Sequence, residues 1–100
     1  MKQSFEVTLQ SPMGPREGIL TLDISAETIM GVLSLLGVDN PVQGRKVDDK
    51  RFKLRHGLQT KMSVLDCESI FSLEQGVLTG VSYTQQGTMV WSGQLRTKDR

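Results

Sequence analysis

Arg51-Phe52-Lys53-Leu54-Arg55-His56-Gly57-Leu58, near the middle of the chain, sets two kinds of side chain in alternation. Phe52, Leu54, His56 and Leu58 occupy even positions, and Arg51, Lys53 and Arg55 occupy odd ones. Side chains alternate between the two faces of a strand with period two, whereas a helix would scatter both sets around its axis. The stretch therefore predicts a β-strand with an apolar face turned inward and a cationic face turned to water. The same alternation recurs on either side, in Phe5, Val7 and Leu9, in Leu20, Leu22 and Ile24, and along Leu65, Cys67, Ser69, Phe71 and Leu73.

Turn-forming residues separate these segments, so each strand is expected to fold back on the one before it. A tip at Gly14 and Pro15 would set Leu9 opposite Leu20, Val7 opposite Leu22 and Phe5 opposite Ile24. A tip at Ala26 and Glu27 would set Ile24 opposite Ile29, Leu22 opposite Gly31 and Leu20 opposite Leu33. Asp39, Asn40 and Pro41 break the pattern, and a short strand from Val42 to Val47 leads to a loop at Asp48, Asp49 and Lys50. A reversal near Gln59 and Thr60 would place Phe52 opposite Cys67 and Leu54 opposite Leu65. Tips at Gln75-Gly76 and Gln86-Gly87 would pair Leu73 with Leu78, Phe71 with Gly80, Ser82 with Trp91, Gly80 with Gly93 and Leu78 with Leu95. Each register keeps the large apolar residues on one side, which is the condition a half-buried sheet imposes.

The result is an all-β chain of about eight antiparallel strands in simple succession, an up-and-down meander expected to close into a small barrel. An open roll or a two-layer sandwich is the alternative. A helix over Ser25 to Leu36, with Ser25 as its cap, competes locally, but Gly31 in its middle opposes it. Gly18, Gly31, Gly44 and Gly57, then Gly80 and Gly93, recur thirteen residues apart within their series, one strand plus one turn. Glycine in a strand permits the sharp coiling that closure requires.

One hundred residues suit a single domain, residues 1–100, with a modest core. The chain is 37% hydrophobic and 23% charged, with a formal net charge of +1. That is an ordinary globular balance, neither disordered nor strongly nucleic-acid binding. Met1 to Glu6 holds no apolar signal core, and no run approaches the roughly 18 apolar residues of a membrane span, so a cytoplasmic protein without membrane contact is expected. Cys67 is the single cysteine and His56 the single histidine. A disulfide within the chain and a multi-ligand nitrogen or sulfur metal site are both excluded, and no cofactor is expected.

Ser11-Pro12-Met13-Gly14, then Gly18-Ile19-Leu20-Thr21-Leu22 and Ile29-Met30-Gly31-Val32-Leu33, resemble a group of small bacterial β-barrel domains with a Thr-Pro-Met-Gly turn and repeated strands of the form apolar, any, Gly. Gly44 to Phe52, Val77 to Val81 and Trp91-Ser92-Gly93 extend the likeness over most of the chain. Ser11 stands where the group has Thr, and Leu58 to Glu68 carries no landmark. The resemblance implies a barrel of lipocalin-like shape and carries over no catalytic residue.

Two sets of residues are candidates for function. His56, Ser69, Ser82 and Trp91 are predicted to point inward, and polar groups converging in an apolar interior are what a small-molecule pocket requires. Ile70, Val81, Tyr83 and Val90 are predicted to point outward, with Ile70 opposite Val81 and Tyr83 opposite Val90, as an apolar patch for a protein partner or a second copy. Seven basic residues lie between Arg45 and Lys61, namely Arg45, Lys46, Lys50, Arg51, Lys53, Arg55 and Lys61. The register above would pair Lys53 with Asp66 and Arg51 with Glu68, and without aromatics on that face no nucleic-acid partner is expected. Cys67 with His56 makes a thin nucleophilic pair because the thiol is expected to face a packed core. The sequence thus points to a noncatalytic barrel acting through protein contact or homo-oligomerisation, with a small apolar ligand held inside as the alternative.

Overall fold

The computed structural model describes residues 2–11, 14–59 and 63–96. Eight strands fill them: β1 (Lys2–Ser11), β2 (Gly14–Ser25), β3 (Thr28–Leu35), β4 (Val38–Lys46), β5 (Arg51–Gln59), β6 (Val64–Glu74), β7 (Val77–Thr84) and β8 (Gly87–Leu95). Each pairs antiparallel with the next, and β8 returns to β1 through pairs such as Val7 with Gly93 and Leu9 with Trp91, so the sheet is a closed barrel. Closure pairs the two terminal strands with each other over residues 5–10 and 90–95 and rules out the open roll and the sandwich. Ser25 to Leu36 is strand and turn throughout, without helix.

The inward set forms one core. Phe5, Leu20, Leu22, Leu33, Leu54, Phe71 and Trp91 are all buried, together with Val7, Leu9, Ile29, Val42, Phe52, Leu58 and Leu78. Phe52 stacks on Phe71 with ring centroids 5.7 Å apart, and Phe71 lies 6.1 Å from Trp91. Gly80 makes room for this aromatic layer, because a side chain there would run into the Phe71 ring. At the β6–β7 tip Gln75 and Gly76 both adopt positive φ, 53° and 80°, the geometry of the tight hairpin turn whose twist matches its strands.

The β2–β3 and β6–β7 registers agree with the sequence reading, and three others differ from it. β1 pairs with β2 four residues away from the expected alignment, Phe5 meeting Leu20, Val7 meeting Gly18 and Ser11 meeting Gly14, so Gly14 and Pro15 lie within β2 rather than at a tip. β5 meets β6 four residues away as well: Phe52 faces Phe71, Leu54 faces Ser69 and His56 faces Cys67. The expected turn residue Thr60 and the basic residue Lys61 lie outside the described residues, as do Pro12 and Met13 of the resemblance. β7 and β8 are offset by two, with Gly80 opposite Trp91, Leu78 opposite Gly93 and Ser82 opposite Met89. The cause is common to all three. An even slip leaves every side chain on its own face, so burial cannot choose among such registers and the turn and ring packing do. At the last tip Thr84 closes directly on Gly87, its hydroxyl donating to the Gly87 carbonyl at 2.9 Å and accepting from the Gln86 N–H at 3.0 Å.

The expected break at Asp39 to Pro41 is instead the body of β4, which turns out of β3 at Leu36 and Gly37, both at positive φ, and ends at Lys46. Asn40 points inward and is buried. Its amide donates to the Leu33 carbonyl at 3.1 Å and accepts from the Gln59 N–H at 3.2 Å, so a turn-forming residue serves as a tie between β3 and β5. Pro41 costs no β5 bond because the β4–β5 ladder begins beyond it, at Val42 opposite His56.

Candidate functional site

The four inward candidates meet in one hydrogen-bonded chain. Trp91 Nε1 donates to Ser82 Oγ at 2.7 Å, Ser82 and Ser69 share a bond of 2.5 Å, and Ser69 lies 2.8 Å from His56 Nε2. His56 Nδ1 closes the chain 2.9 Å from the Gly57 carbonyl. Its direction follows from the two ends. A carbonyl only accepts, so Nδ1 carries the proton and Nε2 of the neutral ring accepts from Ser69. Ser69 must then accept from Ser82, which in turn accepts from the indole N–H.

The chain lies in the wall of the barrel where β5, β6, β7 and β8 run side by side. Ser69 faces Ser82 across β6–β7 and Leu54 across β5–β6, with His56 the next inward residue along β5. Ser69 and Ser82 have no exposed surface, and His56 is 8% exposed. Burial pushes the His56 pKa below its usual value, partly offset by the bond to Gly57. Burial likewise raises the Cys67 thiol to about 11, with the Asp66 carboxylate adding to the effect. A thiol so raised is a poor nucleophile. Ser69 and His56 stand at the distance of a nucleophile and its base. No surface of Ser69 is open to a substrate, however, and its oxygen is already engaged by Ser82. Among the described residues no buried side-chain nitrogen or oxygen is left without a hydrogen-bond partner.

The outward candidates also come together, in a different pairing from the expected one. Ile70 faces Val81, and Val81 faces Val90, so three apolar side chains form one row across β6, β7 and β8. Ile70 and Val90 are exposed, at 39% and 52%. Tyr83 lies one outward position from Val81 and faces Thr88 rather than Val90. Beside this row an open groove of about 990 Å³ crosses the outer wall, lined by Met30, Gln43, Arg55, Glu68 and Tyr83 among others.

The basic stripe is rearranged by the β5–β6 register. Lys53 faces Ile70 rather than Asp66, and Arg51 faces Ser72 rather than Glu68. Arg51 pairs instead with Asp48 at 2.8 Å, Lys50 with Glu74 at 3.0 Å, and Arg55 lies 3.7 Å from Glu68. Asp48 also accepts from the backbone N–H groups of Lys50 and Arg51. Chiefly through the Arg51 side chain, its pKa falls to about 2. What the sequence did not reveal is Arg45 directly opposite Lys53 across β4–β5, because β4 carried no legible register.

Neither a known family model nor a curated protein matches the sequence. Among solved structures the chain is similar to a redesigned β-barrel, mFAP1, bound to DFHBI, at a TM-score of 0.71 and 13% identity, over 93% of this chain and 92% of that one. Another redesigned β-barrel gives a TM-score of 0.73 at 10% identity, over 95% of this chain and 90% of that one. At such identity the likeness concerns the fold.

Proposed function

We propose that this chain is a noncatalytic barrel module that works through a protein contact on the outer wall of β6 to β8. The observation that carries the reading is the row Ile70, Val81, Val90, three apolar side chains held in register on a surface where polar residues would serve solubility better. Tyr83, half exposed beside the row, adds an aromatic of the kind that anchors contacts. The filled, internally bonded interior supports the outer wall as the working surface. Tyr83→Lys with Val90→Lys places two charges where a partner would have to desolvate them. The double variant is expected to keep the parent's melting temperature and to lose whatever self-association or partner retention the parent has. Sedimentation velocity over a concentration series, with affinity capture on both proteins, reads this out. A parent that stays monomeric and retains nothing that the variant loses overturns the proposal.

A second reading is favoured by one observation, that a similar barrel holds the small molecule DFHBI. Here a small apolar ligand would lie near His56 and Trp91, entering an interior now filled by Phe71, Leu54 and Trp91. Native mass spectrometry of the purified protein tests it, with His56→Ala and Trp91→Leu expected to release any retained mass.

A further inference from the structure

The row Ile70, Val81, Val90 continues without interruption into a pair of cations. Lys53 on β5 faces Ile70 on one side and Arg45 of β4 on the other, so the outer wall reads Arg45, Lys53, Ile70, Val81, Val90 from strand to strand. Both cations are exposed. Arg51, Lys50 and Arg55 nearby are each matched to a carboxylate. Among the described residues neither Arg45 nor Lys53 has such a partner. Like charges directly opposite on neighbouring strands destabilise a sheet, so the fold derives no benefit from this juxtaposition. An incoming carboxylate would relieve it.

From this we infer that the row is the docking strip for an acidic and apolar polypeptide segment of a different protein, carboxylates over Arg45 and Lys53 and aliphatic side chains over Ile70, Val81 and Val90. The inference rests on the proposed protein contact and names its partner class. Three features lead to this occupant. The strip spans four strand spacings of about 4.8 Å, about 19 Å in all, which an extended segment of about six residues covers. Every residue of the strip is paired on both sides within the sheet, so recognition there must come from side chains, and charge beside apolar surface supplies both orientation and contact. A second copy would match the apolar part of the row but leave its cations without counter-charges. Beyond Val90 the row ends on Gln10 and Pro15, so an antiparallel two-fold pairing would set the cations of one copy against neutral residues of the other.

The probe is a labelled peptide, Glu-Ser-Glu-Ser-Val-Ser-Ile, whose alternate residues put two carboxylates and two aliphatic side chains on one face when extended. Fluorescence anisotropy against the whole protein is expected to show binding at low ionic strength that weakens with added salt. A Lys-for-Glu version should not bind, and an all-Ser apolar face should weaken binding. Arg45→Glu with Lys53→Glu is expected to weaken the acidic peptide by about tenfold or more, since two attractive charges become repulsive. Both positions are exposed, and equal melting temperatures confirm intact folding. Equal binding of the acidic and basic peptides, or binding untouched by the charge reversal, overturns the inference. So does binding to vesicles of phosphatidylserine and phosphatidylcholine without binding to the peptide. If Tyr83→Lys with Val90→Lys abolishes association while the charge reversal does not, the protein contact stands and the acidic partner falls.

Discussion

Lowering the pH through the histidine range should destabilise the barrel through one residue, His56. In the folded chain its ring is neutral, donating from Nδ1 to Gly57 and accepting at Nε2 from Ser69. Charging the ring adds a hydrogen at Nε2. Ser69 must then accept from the ring and turn its own hydrogen to Ser82, whose oxygen already accepts from Trp91. The Ser82 hydrogen is left without a place in the chain, and a buried unpaired hydroxyl costs about 1–3 kcal/mol, besides the desolvation of the imidazolium. Burial lowers the folded pKa below the ordinary 6.5, partly offset by the bond to Gly57, and the stranded Ser82 hydroxyl acts in the same direction. The sign follows: below about pH 6.5 the unfolded chain takes up a proton that the folded chain refuses, so stability falls as the pH drops toward the folded pKa and levels off beneath it. Every tenfold loss of proton affinity on folding corresponds to about 1.4 kcal/mol. Asp48, its pKa lowered from 3.8 to about 2, keeps its stabilising effect throughout this range and loses it only as the pH falls below its ordinary value. Urea titrations between about pH 8 and about pH 5 should show the parent losing about 1 kcal/mol or more. His56→Gln, whose amide can still accept from Ser69 without titrating, should lose the pH dependence. A parent with constant stability across that window, or an equal loss in the variant, would show that His56 is not the residue responsible.

Leu54→Ala and Leu22→Ala, each emptying a fully buried site, should cost about 2–5 kcal/mol by chemical denaturation. Cys67, buried and with its pKa raised to about 11, should resist iodoacetamide near neutral pH in the folded protein and react promptly in denaturant, as mass spectrometry would show. Titration with single- and double-stranded oligonucleotides at about physiological salt should give nothing tighter than about 1–100 µM, and sequence-selective nanomolar binding would contradict the proposed protein contact.

The division between inside and outside was legible in the sequence. The alternation in Phe5 to Leu9, Leu20 to Ile24 and Phe52 to Leu58 specifies a strand with one wet face. Phe5, Leu20, Leu22, Leu54 and Trp91 are buried in the core accordingly. Short turns between successive strands also determined the up-and-down order. Side-chain parity was enough to send His56, Ser69, Ser82 and Trp91 inward and Ile70, Val81, Tyr83 and Val90 outward. Register was a different matter. Slips of two or four residues preserve parity, so the pattern could not distinguish Phe52 opposite Cys67 from Phe52 opposite Phe71, and the stacking of the two rings in the closed barrel decides it. β4 was hidden for another reason: Asn40 and Pro41 look like a turn until the neighbouring strands supply the Leu33 carbonyl and the Gln59 N–H that Asn40 binds. Faces are a property of each strand alone and follow from the alternation of residues within it. Which residues meet across strands depends on several strands at once. Only the tertiary structure could therefore join the inner four into one hydrogen-bonded chain and bring Arg45 and Lys53 beside the apolar row.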